Sequence, residues 1–138
     1  MRYNIDMNSE QLVAHWVDSS ERDFVTMDVL FKNKRYMHSL FWGHLIIEKL
    51  LKALYAKTHP EAPYAPKTHD VLSLAKNCNV ELDVNRKIIL DAVNSFNIEG
   101  RYEDEKKRFY KLCTKEFTTE NIEIIKELRE WIKSLITK

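Results

Sequence analysis

The sequence predicts an all-α fold, an antiparallel up-down helical bundle of four to five helices. Three observations predict it. Apolar residues recur at alternating three- and four-residue intervals over long stretches, the spacing of one helical face. Glycine and proline number two and three in 138 residues, and Pro60, Pro63 and Pro66 share one short segment, so most of the chain lacks helix breakers. The Val- and Ile-rich stretches keep the helical period and do not alternate in twos, which leaves no expected strand pair.

The first helix is predicted from about Ser9 to Phe31, because Val13, Trp16, Val17, Ser20, Phe24, Met27 and Phe31 fall on one face. Asn8 or Ser9 can cap it. Lys32-Asn33-Lys34 interrupts the apolar pattern briefly, as an antiparallel hairpin connection does. The second helix, about Arg35 to Lys57, carries the widest apolar stripe and is predicted to be central, with Tyr36, Leu40, Phe41, His44, Ile47, Leu51, Leu54 and Tyr55 on that stripe. Gly43 inside it costs ~1 kcal/mol relative to alanine and marks either a close helix contact or a tolerated surface position.

The segment from Thr58 to Lys67 contains the three prolines and cannot continue that helix. Thr68 is the predicted cap of a short third helix bearing Val71, Leu72, Leu74, Ala75 and Cys78. Asp83 is the predicted cap of a fourth, with Ile88, Ile89, Ala92, Val93 and Phe96 on one face. The last helix is predicted from about Thr119 to Ile136 on the spacing of Ile125, Leu128, Ile132 and Leu135.

A length of 138 residues with 44% hydrophobic composition fits one domain over residues 1–138, with a core that needs no metal or disulfide. Lysine and arginine total 22 against 21 acidic residues, so affinity for nucleic acid has to come from a local patch. Cys78 and Cys113 form no CxxC pair, which points away from a disulfide scaffold or zinc site and toward a reducing, cytoplasmic setting. The amino terminus has no apolar signal-peptide run, and no stretch approaches the ~18 apolar residues of a membrane span. His15, His38, His44 and His59 form neither an i, i+4 pair nor a Glu-x-x-His pattern, so no metal is expected. Phosphate-loop, nucleophile-elbow and dinucleotide glycine motifs are missing, and no cofactor is expected.

Three blocks of sequence carry a family resemblance. His44-Leu45-Ile46-Ile47-Glu48-Lys49-Leu50-Leu51-Lys52-Ala53-Leu54-Tyr55 is similar to an "EK.LKAL" signature in a second helix. Lys67-Thr68-His69-Asp70-Val71-Leu72-Ser73-Leu74 is similar to a "K-T-H-D-L-x-x-L" helix start. Asn97-Ile98-Glu99-Gly100-Arg101-Tyr102-Glu103-Asp104 is similar to an "N-x-x-x-R-Y-x-D" element after a fourth helix. In this order and spacing the chain resembles HEPN domains, of the small stand-alone prokaryotic type. The resemblance implies an antiparallel helical bundle, frequent homodimerisation, and partnership with small nucleotidyltransferases, often as toxin-antitoxin modules. Members that cleave RNA carry an arginine, an adjacent polar residue, and a histidine separated from the arginine by four to six residues; after Arg101 that window holds Lys106, Lys107 and Arg108, and no histidine follows His69. The family's ribonuclease site is therefore not carried over, and the expectation leans away from an enzyme.

Several residues stand out as candidates. Glu48 either forms an exposed i, i+4 pair with Lys52 or points inward, toward Arg101. His69 either adds a donor to an anion site at the start of the third helix or, with Thr68 and Asp70, merely caps it. Lys106, Lys107, Arg108, Lys111 and Lys115 interleave with Phe109 and Tyr110, a pattern suited to single-stranded RNA or a nucleotide, although Glu103, Asp104 and Glu105 precede it. The leading expectation is a dimeric nucleotide- or RNA-binding module. Its groove lies near Lys52, His69, Arg101 and Tyr102, where Arg101 pairs with phosphate and Tyr102 stacks or hydrogen-bonds. The rivals are a ribonuclease toxin with a nonstandard site using His69, and a non-catalytic assembly or antitoxin partner that docks through Trp16, Trp42 or Trp131.

Overall fold

The computed structural model describes residues 6–138, and among them it contains six helices and no strand. They are α1 (Ser9–Lys32), α2 (Tyr36–Thr58), α3 (Val71–Lys76), α4 (Val84–Asn94), α5 (Glu103–Leu112) and α6 (Lys115–Ile136). The all-α expectation holds, with one helix more than the four to five predicted. The additional one is α5, which carries the basic run. Only one of its residues, Phe109, is buried, so it leaves no apolar period to read. Its support is electrostatic. Three carboxylates occupy the first turn, and Lys106 and Arg108 lie 3.7 and 3.6 Å from Glu103 and Asp104 one turn back.

The caps follow residue chemistry. Asn8 accepts from the Gln11 amide while the Gln11 side chain accepts from the Asn8 amide, a reciprocal box. Asp83 accepts from the Arg86 amide. Thr114 accepts from the Phe117 amide and starts α6 four residues ahead of the predicted boundary. For α3 the cap is Asp70, not Thr68. The Thr68 hydroxyl accepts from the Asp70 amide, and the Asp70 carboxylate in turn accepts from the Ser73 amide.

α2 is the central element and packs against every other helix. Leu40, Ile46, Ile47, Leu50 and Leu51 are fully buried along it, each contributing about 1.5–3 kcal/mol by leaving water. Gly43 sits at a close crossing: a Cβ there would overlap Ile125 Cδ1 of α6 and lie 3.4 Å from Met27 Sδ of α1. The close-contact reading of this glycine is the correct one. On α4 the buried side is Leu90 and Val93, continued by Phe96, whereas Ile88 and Ala92, predicted on the inner face, are exposed.

Ion pairs fasten the outer helices. Lys49 of α2 lies 2.7 Å from the buried Asp23 of α1 and donates to the Ser19 hydroxyl. Glu21 of α1 receives Lys133 at 2.8 Å and Arg129 at 2.9 Å from α6, and these cations, the Lys133 hydrogen bond foremost, hold its carboxyl below the usual range. The Lys57 ammonium donates to the carbonyls of Leu135, Ile136 and Lys138 at the end of α6.

Candidate functional site

His44, Glu48 and Lys52 follow one another at single-turn spacing along α2, so their side chains share one side of that helix. The loop after the prolines brings His69 against them. Glu48 is 4% exposed and points inward, but its partners are not Arg101. One carboxylate oxygen lies 2.8 Å from His69 Nδ1, and the other accepts from Lys52 Nζ at 3.1 Å. Lys52 Nζ also lies 5.0 Å from the Trp16 ring centroid, so α1 closes the cluster on its far side. A carboxylate buried this deeply requires such donors.

His44 extends the chain of contacts. Its Nε2 is 2.9 Å from the His69 carbonyl, and because a carbonyl only accepts, Nε2 carries the hydrogen. Nδ1 is then the bare lone pair, buried and without a partner among the described residues. Burial pushes the His44 pKa below its ordinary 6.5, against the opposing pull of the His69 carbonyl, Glu48 and Glu99. The consequence for stability has a definite sign. As pH falls below 6.5 the unfolded chain takes up a proton at this position that the folded chain refuses, so stability drops. The expected result is a lower urea midpoint at about pH 5 than at about pH 7, with a smaller drop in His44→Leu. An equal drop in both proteins would show that His44 is not the cause.

His69 does not face an open helix start. The Asp70 carboxylate accepts from the Ser73 amide and from Asn94 Nδ2, and Asn94 Oδ1 accepts from the Val71 amide, which fills the beginning of α3. These hydrogen bonds, that of the Ser73 amide first, hold the Asp70 carboxyl below its usual range. Of the two readings of this position, the contacts present are those of capping, made by Thr68 and Asp70, while the His69 ring turns to Glu48.

Arg101 lies in a different place. Its Nε donates to the Asn97 carbonyl at 3.0 Å, a terminal nitrogen donates to the Ser95 carbonyl, and the guanidinium stands 5.5 Å from the Phe109 centroid. The predicted groove joining Lys52, His69, Arg101 and Tyr102 is thus divided: Lys52 and His69 meet at Glu48, whereas Arg101 clasps the turn between α4 and α5. Tyr102 caps the start of α5 through its backbone and is 77% exposed. Next to Arg101 is a cleft of about 300 Å³, lined by Ser95, Glu105, Arg108, Phe109 and Phe117 as well. Arg108 is 71% exposed at its mouth, and Lys107 and Lys111 lie on the neighbouring solvent side of α5.

The HEPN domain family model matches residues 13–135, from α1 through α6. The chain belongs to that family. No curated protein and no solved structure matches it. Membership supports a nucleotide- or RNA-related helical module. Among the described residues of this HEPN domain, no helix is long and apolar enough to cross a membrane, and no three His, Cys, Asp or Glu side chains converge as metal ligands do. Burial pushes the Cys78 and Cys113 thiols up to about 12 and about 11, so neither is a ready thiolate. The three tryptophans are half-buried, Trp42 and Trp131 against the core and Trp131 beneath the Arg86 guanidinium at 4.0 Å, which fits packing better than docking. Sequence reasoning missed the Glu48–His69 pair because the two are separated by the irregular segment around the prolines.

Proposed function

We propose that this HEPN domain is a nucleotide- or RNA-binding module whose α5 supplies the grip. The supporting observation is the cleft in which Arg101 and Arg108 flank Phe109, with Lys106, Lys107 and Lys111 on the same helix. Arg101 spends two nitrogens on carbonyls and shapes the wall, which leaves Arg108 and Lys107 as the phosphate contacts. The domain acts as a homodimer with a nucleotidyltransferase partner in a toxin-antitoxin pair, the role that the family resemblance implies for it.

The test is titration of a labelled single-stranded oligoribonucleotide at low salt. Replacing both Lys107 and Arg108 with alanine is expected to weaken binding about tenfold and to make the plot of log affinity against log salt shallower by about 0.7 per cation removed. No affinity of the unaltered protein at low salt would refute this reading.

One observation favours a second, catalytic reading: Glu48 fixes His69 through Nδ1 while the side chain stays 66% exposed, an arrangement that presents the other ring nitrogen as a base. In that reading RNA is cleaved by the protein and cleavage disappears in His69→Ala.

A further inference from the structure

A second cleft, of about 490 Å³, lies between the α1–α2 turn and α5. Its walls include Lys34, Arg35, Tyr36 and His38 from the turn and the start of α2, and Tyr110 from α5. No carboxylate lines it, whereas the cleft beside Arg101 contains Glu105 and that between α1 and α6 contains Asp28 and Glu123. Lys34 and Arg35 are exposed, and neither takes part in an ion pair among the described residues. Tyr110 is 66% exposed and offers a free aromatic face. Cations without counter-charges around a cavity, beside an unburied ring, match a phosphate joined to a flat base.

The backbone adds to those side chains. α2 has no side-chain cap and no acidic residue in its first turn, and its first internal hydrogen bond is Ser39 N to Arg35 O. The amides of Tyr36, Met37 and His38 therefore precede the helical ladder on the wall that those residues form. The turn itself is closed by Lys34 N to Phe31 O and Arg35 N to Leu30 O, which holds Lys34 at φ 61°, a left-handed conformation that suits glycine or asparagine better than lysine.

We propose that this cleft is a nucleotide-phosphate site separate from the one beside Arg108. Lys34, Arg35 and a His38 N–H hold the phosphate, and Tyr110 stacks on the base. The phosphate belongs either to a free nucleotide or to a strand of RNA. Because Tyr110 follows Phe109 directly, α5 forms a wall of both clefts, and one strand crossing that helix reaches the two sites in succession.

Two variants test it without disturbing the fold: Lys34→Asn, which suits the left-handed backbone, combined with Arg35→Gln, and separately Tyr110→Ala. A control pair, Arg22→Gln with Lys87→Gln, removes the same charge from exposed positions outside the cleft. With a labelled single-stranded oligoribonucleotide, the Lys34/Arg35 variant is expected to bind about tenfold more weakly, with a salt slope shallower by about 0.7 per cation. Tyr110→Ala is expected to lose about tenfold as well, and the control to match the unaltered protein. Adenosine monophosphate in place of RNA identifies the source: loss of its binding in the Lys34/Arg35 variant assigns the site to free nucleotide, and loss confined to RNA assigns it to a strand. Unchanged affinity for both probes, or an equal loss in the control, overturns the proposal. The α5 reading is tested apart from it, because variants at Lys107 and Arg108 leave this cleft intact.

Discussion

Replacing Glu48 with alanine is expected to destabilise the domain by about 2–4 kcal/mol, because one buried carboxylate neutralises Lys52 and ties the loop before α3 to α2. Its two oxygens engage Lys52 one turn along α2 and His69 from the loop before α3, and the side chain is 5% exposed. Removal leaves Lys52, itself only 16% exposed, against Trp16 with no counter-charge. His69 is open to water and loses less, but its loop loses the Glu48 anchor to α2 and keeps the His44 bond to the His69 carbonyl. Glu48→Gln keeps the volume and one acceptor for Lys52, so it is expected to cost less than Glu48→Ala. Urea unfolding followed by far-ultraviolet circular dichroism reads both, as a shift in midpoint at constant slope. A cost below about 1 kcal/mol for Glu48→Ala would mean that the cluster is incidental to the fold.

The contrast between α2 and α5 shows what the sequence discloses and why. α2 reads clearly because a helix buried on most sides must carry apolar residues over most of its circumference, and its bounds fall within one residue of those predicted. α5 lies on the surface, so its apolar content is small and its helicity rests on charge spacing that a hydrophobic period does not register. Caps are legible by residue type but not always by position. Thr68 and Asp70 both qualify, and the choice depends on Asn94 of α4, which Asp70 reaches at 2.8 Å. The same limit applies to the candidate site. The stripe leaves both an inward and an exposed Glu48 open, and the partner that decides it depends on the path of the segment between Thr58 and Asp70, which has no period to read. Lys34 and Tyr110 are likewise too far apart in sequence for their shared cleft to be foreseen.

Gly43→Leu is expected to destabilise the domain by about 3 kcal/mol. A Cβ alone would already overlap Ile125 Cδ1, and the other neighbour, Met27, is 1% exposed while Ile125 is fully buried. Neither can swing into solvent, so the added carbons must push α6 or α1 away from α2 or force an eclipsed rotamer. The gain from removing a helical glycine, about 1 kcal/mol, is too small to offset this. Space can be restored by truncating the neighbour. Ile125→Ala alone is expected to cost about 2–5 kcal/mol through the cavity it leaves, whereas combined with Gly43→Leu it gives the leucine somewhere to lie. A double-mutant cycle should then show the pair less destabilised than the sum of its members, by at least about 1 kcal/mol. Additive costs, or a Gly43→Leu protein as stable as the parent, would mean that α2 and α6 can part at this crossing without loss, and that the glycine is not what sets their approach.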